Sequence, residues 1–140
     1  MVSLGKYNLE VINHINIFEN ITKARVKDCF IDGNNKFVFI VNKEDIGRAI
    51  GKNGMNLKRV ENVLKKRIKV VSFSDDVKEF VVSYSNPVKI EGVTVNDNIV
   101  EIKVNGMRER GLLIGRDKKH LEALKQILKK YYNIEDVKIV

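Results

Sequence analysis

Shifting the sequence along itself by 64 positions brings two long segments into register. A repeat of that period constrains the fold more than any other feature, because each copy must be one small structural unit of the same design. Gly47 falls on Gly111, Ile50 on Ile114, Gly51 on Gly115, Leu57 on Leu121, Leu64 on Leu128, Lys65 on Lys129 and Lys66 on Lys130. Val60 and Val63 fall on Leu124 and Ile127, so apolar positions 57, 60, 63 and 64 recur as 121, 124, 127 and 128. That spacing places them on one helical face in both copies.

The flanks repeat as well. Residues 9–23 carry Val11, Ile12, Ile15 and Phe18, and the next copy carries Val77, Phe80, Val81 and Tyr84, so each half opens with an amphipathic helix. Two strands follow each: residues 25–31 and 36–41 across the turn Asp32, Gly33, Asn34, Asn35, then residues 88–95 and 99–104 across Asn96, Asp97, Asn98. A short helix, a glycine loop and a longer helix come next, and a β-branched strand closes each copy, at 68–73 and 136–140. Each half therefore reads α-β-β-α-α-β, an α+β class. Ser74, Asp75 and Asp76 mark the boundary, giving domains 1–74 and 75–140, with Ser74 or Asp75 suited to cap the next helix.

Several function classes are excluded at this stage. No apolar run approaches the ~20 residues needed to span a bilayer, and residues 1–16 lack the continuous apolar run of a signal peptide, which points to the cytoplasm; a monomer is expected. Cys29 is the one cysteine and has no internal partner; in its apolar strand it reads as a small core residue. His14 and His120 are far apart and belong to no ligand set at metal spacing, so neither a metal, a cofactor nor a catalytic group is expected. The run from Gly47 to Asn53 superficially resembles a phosphate loop, but it has three residues between glycines instead of four, and Asn53 where a magnesium-binding Ser or Thr is required.

The formal charge is +8, and its distribution matters more than its size. Residues 43–70 hold nine Lys/Arg against three Asp/Glu and residues 107–132 hold eight against three, while the rest of the chain is net acidic. Basic charge gathered around two repeated helix–loop–helix elements is the footprint of a polyanion site. Lys65, Lys66, Arg67, Lys129 and Lys130 are also explained by solvation of helix ends and by the helix dipole. Arg48, Lys52, Lys58 and Arg59 bracket the first loop, where glycine backbone and helix N–H groups allow close approach of a phosphate. Arg110, Arg116, Lys118 and Lys119 surround the second.

The stretch from Ile46 to Leu57 resembles the signature of a KH domain, with Gly51, Lys52, Asn53 and Gly54 as its G-x-x-G loop. The α-β-β-α-α-β order is similar to the type II, prokaryotic form, which carries a three-stranded mixed sheet. Two such domains in tandem, with no polymerase-binding N-terminal domain, S1 barrel or acidic tail among the 140 residues, resemble the short archaeal NusA-like transcription factors. The resemblance implies a non-enzymatic protein that binds single-stranded RNA in transcription elongation or termination, with RNA polymerase as a further partner. It implies that the loop clamps the backbone of about four nucleotides, with Lys52 and Asn53 toward the phosphates. Ile46, Ile50 and Leu57 would line an apolar wall for bases, although all three are equally suited to the core.

The second copy departs from this pattern. Its loop reads Gly115, Arg116, Asp117, Lys118, so a lysine stands where the first copy has Gly54. A weaker, more electrostatic and less geometrically defined contact is expected at Ile114, Gly115, Arg116, Lys118 and Lys119, or else a second half that serves mainly as a structural partner. With ten aromatic residues and none in either loop, no base-stacking platform is expected, and Tyr131 and Tyr132 read as packing residues. A role in ribosome assembly or translation, and a protein-binding adaptor, remain the alternatives to transcription.

Overall fold

The computed structural model describes residues 9–32 and 36–140. The described residues divide after Ser74 into two compact units, the second being residues 75–140.

The first unit begins with helix α1 (Leu9–Thr22), followed by strands β1 (Val26–Ile31) and β2 (Phe37–Asn42), short helix α2 (Ile46–Ile50), helix α3 (Met55–Leu64) and strand β3 (Ile68–Phe73). Strand β2 is central, antiparallel to β1 and parallel to β3, with Phe39 opposite Cys29 on one side and Val70 on the other. Asp32 closes the β1–β2 connection by donating its N–H to the Lys36 carbonyl (3.0 Å) and accepting the Lys36 N–H on its carboxylate (3.1 Å). The expected turn residues Gly33, Asn34 and Asn35 lie outside the described residues.

Strand β2 reads Phe-Val-Phe-Ile-Val without a polar interruption, and all five residues are buried. Phe37, Phe39 and Val41 share a core with Val11, Phe18, Ala49, Val60 and Leu64 from the three helices. The Phe18 and Phe39 rings stack at 4.3 Å; full burial of such a ring contributes about 1.5–3 kcal/mol. Val38 and Ile40 point to the opposite face, where Phe30 and Val71 are also fully buried, so this sheet is apolar on both sides. Cys29 lies in the helix-side core, its thiol pKa raised by burial and by the neighbouring Asp28 carboxylate.

The second unit repeats the order with α4 (Val77–Ser85), β4 (Gly92–Asn96), β5 (Ile99–Lys103), α5 (Met107–Ile114), α6 (Lys119–Tyr132) and β6 (Asp136–Ile139). Its sheet has the same layout, β5 lying antiparallel to β4 and parallel to β6. Here the central strand alternates: Val100 and Ile102 are fully buried, while Lys103 is exposed. Phe80 of α4 meets Tyr84 at 6.0 Å and Tyr132 at 5.4 Å, which accounts for Tyr132 as packing; the Tyr131 ring carries the Lys130 ammonium at 5.2 Å.

Two local expectations are corrected. Strand β4 starts at Gly92 and not at residue 88, because β5 ends at Lys103, whose carbonyl takes the Glu91 N–H as the last link, and Val88 is instead tied back to the Ser85 carbonyl (2.9 Å). The cap of α4 is Asp76 and not Ser74 or Asp75: its carboxylate accepts the Lys78 N–H at 2.9 Å. No helix among the described residues is long and apolar enough to cross a membrane.

Candidate nucleic-acid interface

In the first unit, α2 ends where the Gly51 N–H donates to the Gly47 carbonyl at 2.8 Å. Gly51 then takes φ +77 and ψ 170, a region open essentially to glycine alone. A single tight turn follows, closed by the Gly54 N–H on the Gly51 carbonyl (3.1 Å), with Asn53 and Gly54 both in the left-handed region. No side chain caps this turn. The N–H groups of Lys52 and Asn53 precede its first hydrogen bond, and such N–H groups form a ready anion site. Both side chains are exposed, as are Ile50 and Met55 at the two rims of the loop.

The second loop has the same backbone. Gly115 sits at φ +75, ψ 174; Asp117 at φ 53, ψ 29 repeats Asn53 at φ 55, ψ 27; and Lys118 at φ 61, ψ 18 repeats Gly54 at φ 73, ψ 17. Its closing bonds match too, Gly115 to Gly111 at 2.8 Å and Lys118 to Gly115 at 3.2 Å. The expected loss of definition in the second loop therefore does not extend to its backbone. The reason is that a Cβ at the Gly54 position meets nothing within 4 Å, so Lys118 carries only the left-handed torsion cost, about 1–2 kcal/mol, with its side chain in open space.

The remaining expected residues divide by position. Arg48 on α2 is largely exposed, and its guanidinium is engaged by the carboxylate of buried Asp45, which also accepts the Arg25 N–H at 3.1 Å. These contacts, the Arg25 N–H first and Arg48 next, hold the Asp45 carboxyl below the usual carboxylate pKa. Lys58 and Arg59 are exposed on the first turn and a half of α3, about 100° apart around the helix. Ile46 and Leu57 are half-buried and pack against the core, whereas Ile50 is 39% exposed, so of the three expected wall residues Ile50 is the most open. In the second unit Arg110, Arg116, Lys118 and Lys119 are exposed and Ile114 and Gly115 are half-buried. Arg110 occupies the register position of Ile46, so a cation replaces an apolar residue there. Lys66 is committed elsewhere: it pairs with Glu10 at 2.6 Å and lies over the Phe37 ring.

Two residues that sequence reasoning passed over brace the loops. Asn56, second residue of α3, donates its side-chain amide to the Arg48 carbonyl at 2.8 Å. A Cβ built on Gly51 would lie 2.8 Å from both the Asn56 backbone nitrogen and its Cγ. His120, second residue of α6, holds the Leu113 carbonyl through Nδ1 at 2.9 Å, and its Cβ would stand 2.7 Å from a Cβ on Gly115. The 64-residue register, which sets Asn56 on His120, is the signal that could have found them.

Fold and site together define a tandem α+β glycine-loop protein, the same unit built twice. A family described as the KH domain matches residues 13–106. Curated relatives are similar over nearly the whole chain: the probable transcription termination protein NusA of Methanococcus vannielii is 34% identical across 96% of this chain and 79% of its own length. Its counterpart in Methanocaldococcus jannaschii is 32% identical across 94% and 73%. The crystal structure of APE1850 superposes with a TM-score of 0.68 at 33% identity, covering 95% of this chain and 99% of that one. The chain belongs to the KH domain family, among the archaeal NusA-like proteins.

Proposed function

We propose that this chain binds single-stranded RNA as a NusA-like factor in transcription elongation or termination, with residues 1–74 and 75–140 as two KH domains of the type II form. The observation that carries the reading is the uncapped turn at Lys52–Gly54, ended by Gly54 and entered through the Gly51 torsion that only glycine adopts readily. Its backbone N–H groups meet a phosphate without a side chain in the way, and Arg48, Lys52, Lys58 and Arg59 supply cations around it. The sheet order, with β2 central and parallel to β3, supports the type II assignment. Ile50 and Leu57 provide the apolar contact for bases beside Gly51–Gly54. The second loop, with Arg110, Ile114, Gly115, Arg116, Lys118 and Lys119, adds an electrostatic contact of the same backbone shape. RNA polymerase is the further partner that the family resemblance implies, and a purely enzymatic role has no support in the site.

The test is anisotropy of a labelled single-stranded RNA against the intact chain and a Lys52→Asp, Asn53→Asp variant, with circular dichroism confirming the fold. Two carboxylates at the turn are expected to remove most of the affinity. For four neutralised phosphates the log–log salt slope of the wild type is about −2.8. Equal affinity for folded variant and wild type would remove the loop from the site and favour a protein-binding adaptor. Copurification of ribosomal subunits without polymerase would favour the translation reading.

A further inference from the structure

Every helix leaves its last carbonyls without intrahelical partners. In α2 the glycine N–H takes one of them, Gly47, and the Asn56 amide reaches back across the loop to a second, Arg48. In α5 the Gly115 N–H takes Gly111, and the His120 imidazole reaches back to Leu113. Both side chains leave the second position of the following helix, and both press against the loop's first glycine so closely that a Cβ there would collide. The two residues are unlike in shape, and the carbonyl they reach differs by one residue in register, Arg48 corresponding to Leu112. The shared feature is a donor at the front of one helix that holds the end of the other. A carbonyl oxygen only accepts, so Nδ1 of His120 carries its proton, and the residue is only 6% exposed, its ring beside that of Tyr84 at 5.5 Å.

From this we infer that Asn56 and His120 are interchangeable clasps, positioning residues that fix the torsions of their glycine loops and thereby the direction of the loop N–H groups. The inference rests on the RNA-binding reading only for its consequence, that a loop released from its clasp grips RNA less well. Neither residue touches the phosphate. A released loop samples other torsions before each encounter, and the apparent affinity falls by the fraction of time it is misformed.

The experiment compares wild type with Asn56→Ala, Asn56→His and His120→Asn, reading amide hydrogen exchange at Gly51, Gly54, Gly115 and Lys118 alongside RNA anisotropy. Asn56→Ala is expected to keep its circular dichroism, to raise exchange at Gly51 and Gly54 by about tenfold, the size of one lost hydrogen bond, and to weaken RNA binding by the smaller factor set by the misformed fraction. Asn56→His restores exchange to within about threefold and RNA binding to the wild-type value, because an imidazole fills this role in the other unit. Unchanged exchange in Asn56→Ala overturns the inference, and so does a folded Asn56→His that behaves like the alanine variant. If Asn56→Ala does not fold, the two exchanges of clasp decide: folded proteins with wild-type loop exchange support it, and loosened loops in both overturn it. A wild type without RNA affinity overturns the functional reading, while the exchange measurement still decides the clasp.

Discussion

Replacing Gly51 and Gly54 separately by alanine separates two physical effects that the G-x-x-G pattern merges. Both glycines have positive φ, +77 and +73, but their surroundings differ. At Gly51 the new Cβ would sit 2.8 Å from the Asn56 backbone nitrogen, which no rotamer change relieves, and ψ of 170 places the residue where a side chain costs about 1–3 kcal/mol by itself. Adding a displaced α3 N-terminus and a broken clasp, a total of about 3–4 kcal/mol is expected. At Gly54 the Cβ meets nothing within 4 Å and the torsion is ordinary left-handed, so about 1–2 kcal/mol is expected, the torsion Lys118 already adopts in the second unit. Urea denaturation followed by circular dichroism measures both. For a unit of this size the difference corresponds to roughly 10 °C or more in Tm. Equal losses, or a larger loss for Gly54→Ala, would refute the assignment of Gly51 as the sterically closed position.

Two further predictions concern titration. The His14 ring is buried against Phe37 at 4.6 Å, with Nε2 3.9 Å from the Glu10 carboxylate, and burial, then Lys66, hold its pKa below the ordinary histidine value against smaller opposing pulls from Glu10. The unfolded chain thus takes the proton more readily, so this part of the stability is complete above about pH 6.5 and is lost as pH falls below it; His14→Leu should flatten that limb of a Tm-against-pH curve, and an unaltered limb would contradict the cause given. Lys69 on β3 is pushed down to about 8, chiefly by burial, with Lys36 adding and Asp32 opposing. Between that value and the ordinary one near 10.5 the unfolded state binds more protons, so stability should rise with pH across the window. NMR titration of the lysine ε-methylene should show one midpoint near 8; a Lys69 midpoint above 10 would count against it.

Much of the fold was readable because its determinants are local and periodic. The Phe37–Val41 run, too short for a helix, rich in aromatic and β-branched residues and preceded by a turn, reads as a strand, and the helical spacing of Val60 and Leu64 survives in Leu124 and Leu128. The glycine loop was readable because torsions such as that of Gly51 demand glycine. What escaped the sequence depends on partners distant in the chain. Nothing in Asp45 alone announces that it joins Arg25 to Arg48, or in Gly92 that its strand begins where Lys103 ends the partner. Asn56 and His120 differ in size and shape, and although the 64-residue register sets one on the other, it is the carbonyls they reach that show a common role. Lys118 departs from the glycine pattern without changing the loop's backbone, because a left-handed torsion costs little where the Cβ position is open.

Whether the glycine loops grip the nucleic-acid backbone is tested most directly by amide NMR of the intact chain titrated with a short single-stranded RNA. The largest shifts are expected on the amides of Gly51–Gly54 and, more weakly, Gly115–Lys118, with smaller changes at Ile50 and Leu57. Shifts spread over the exposed lysines of both units, with the loop amides unmoved, would contradict a loop-centred grip.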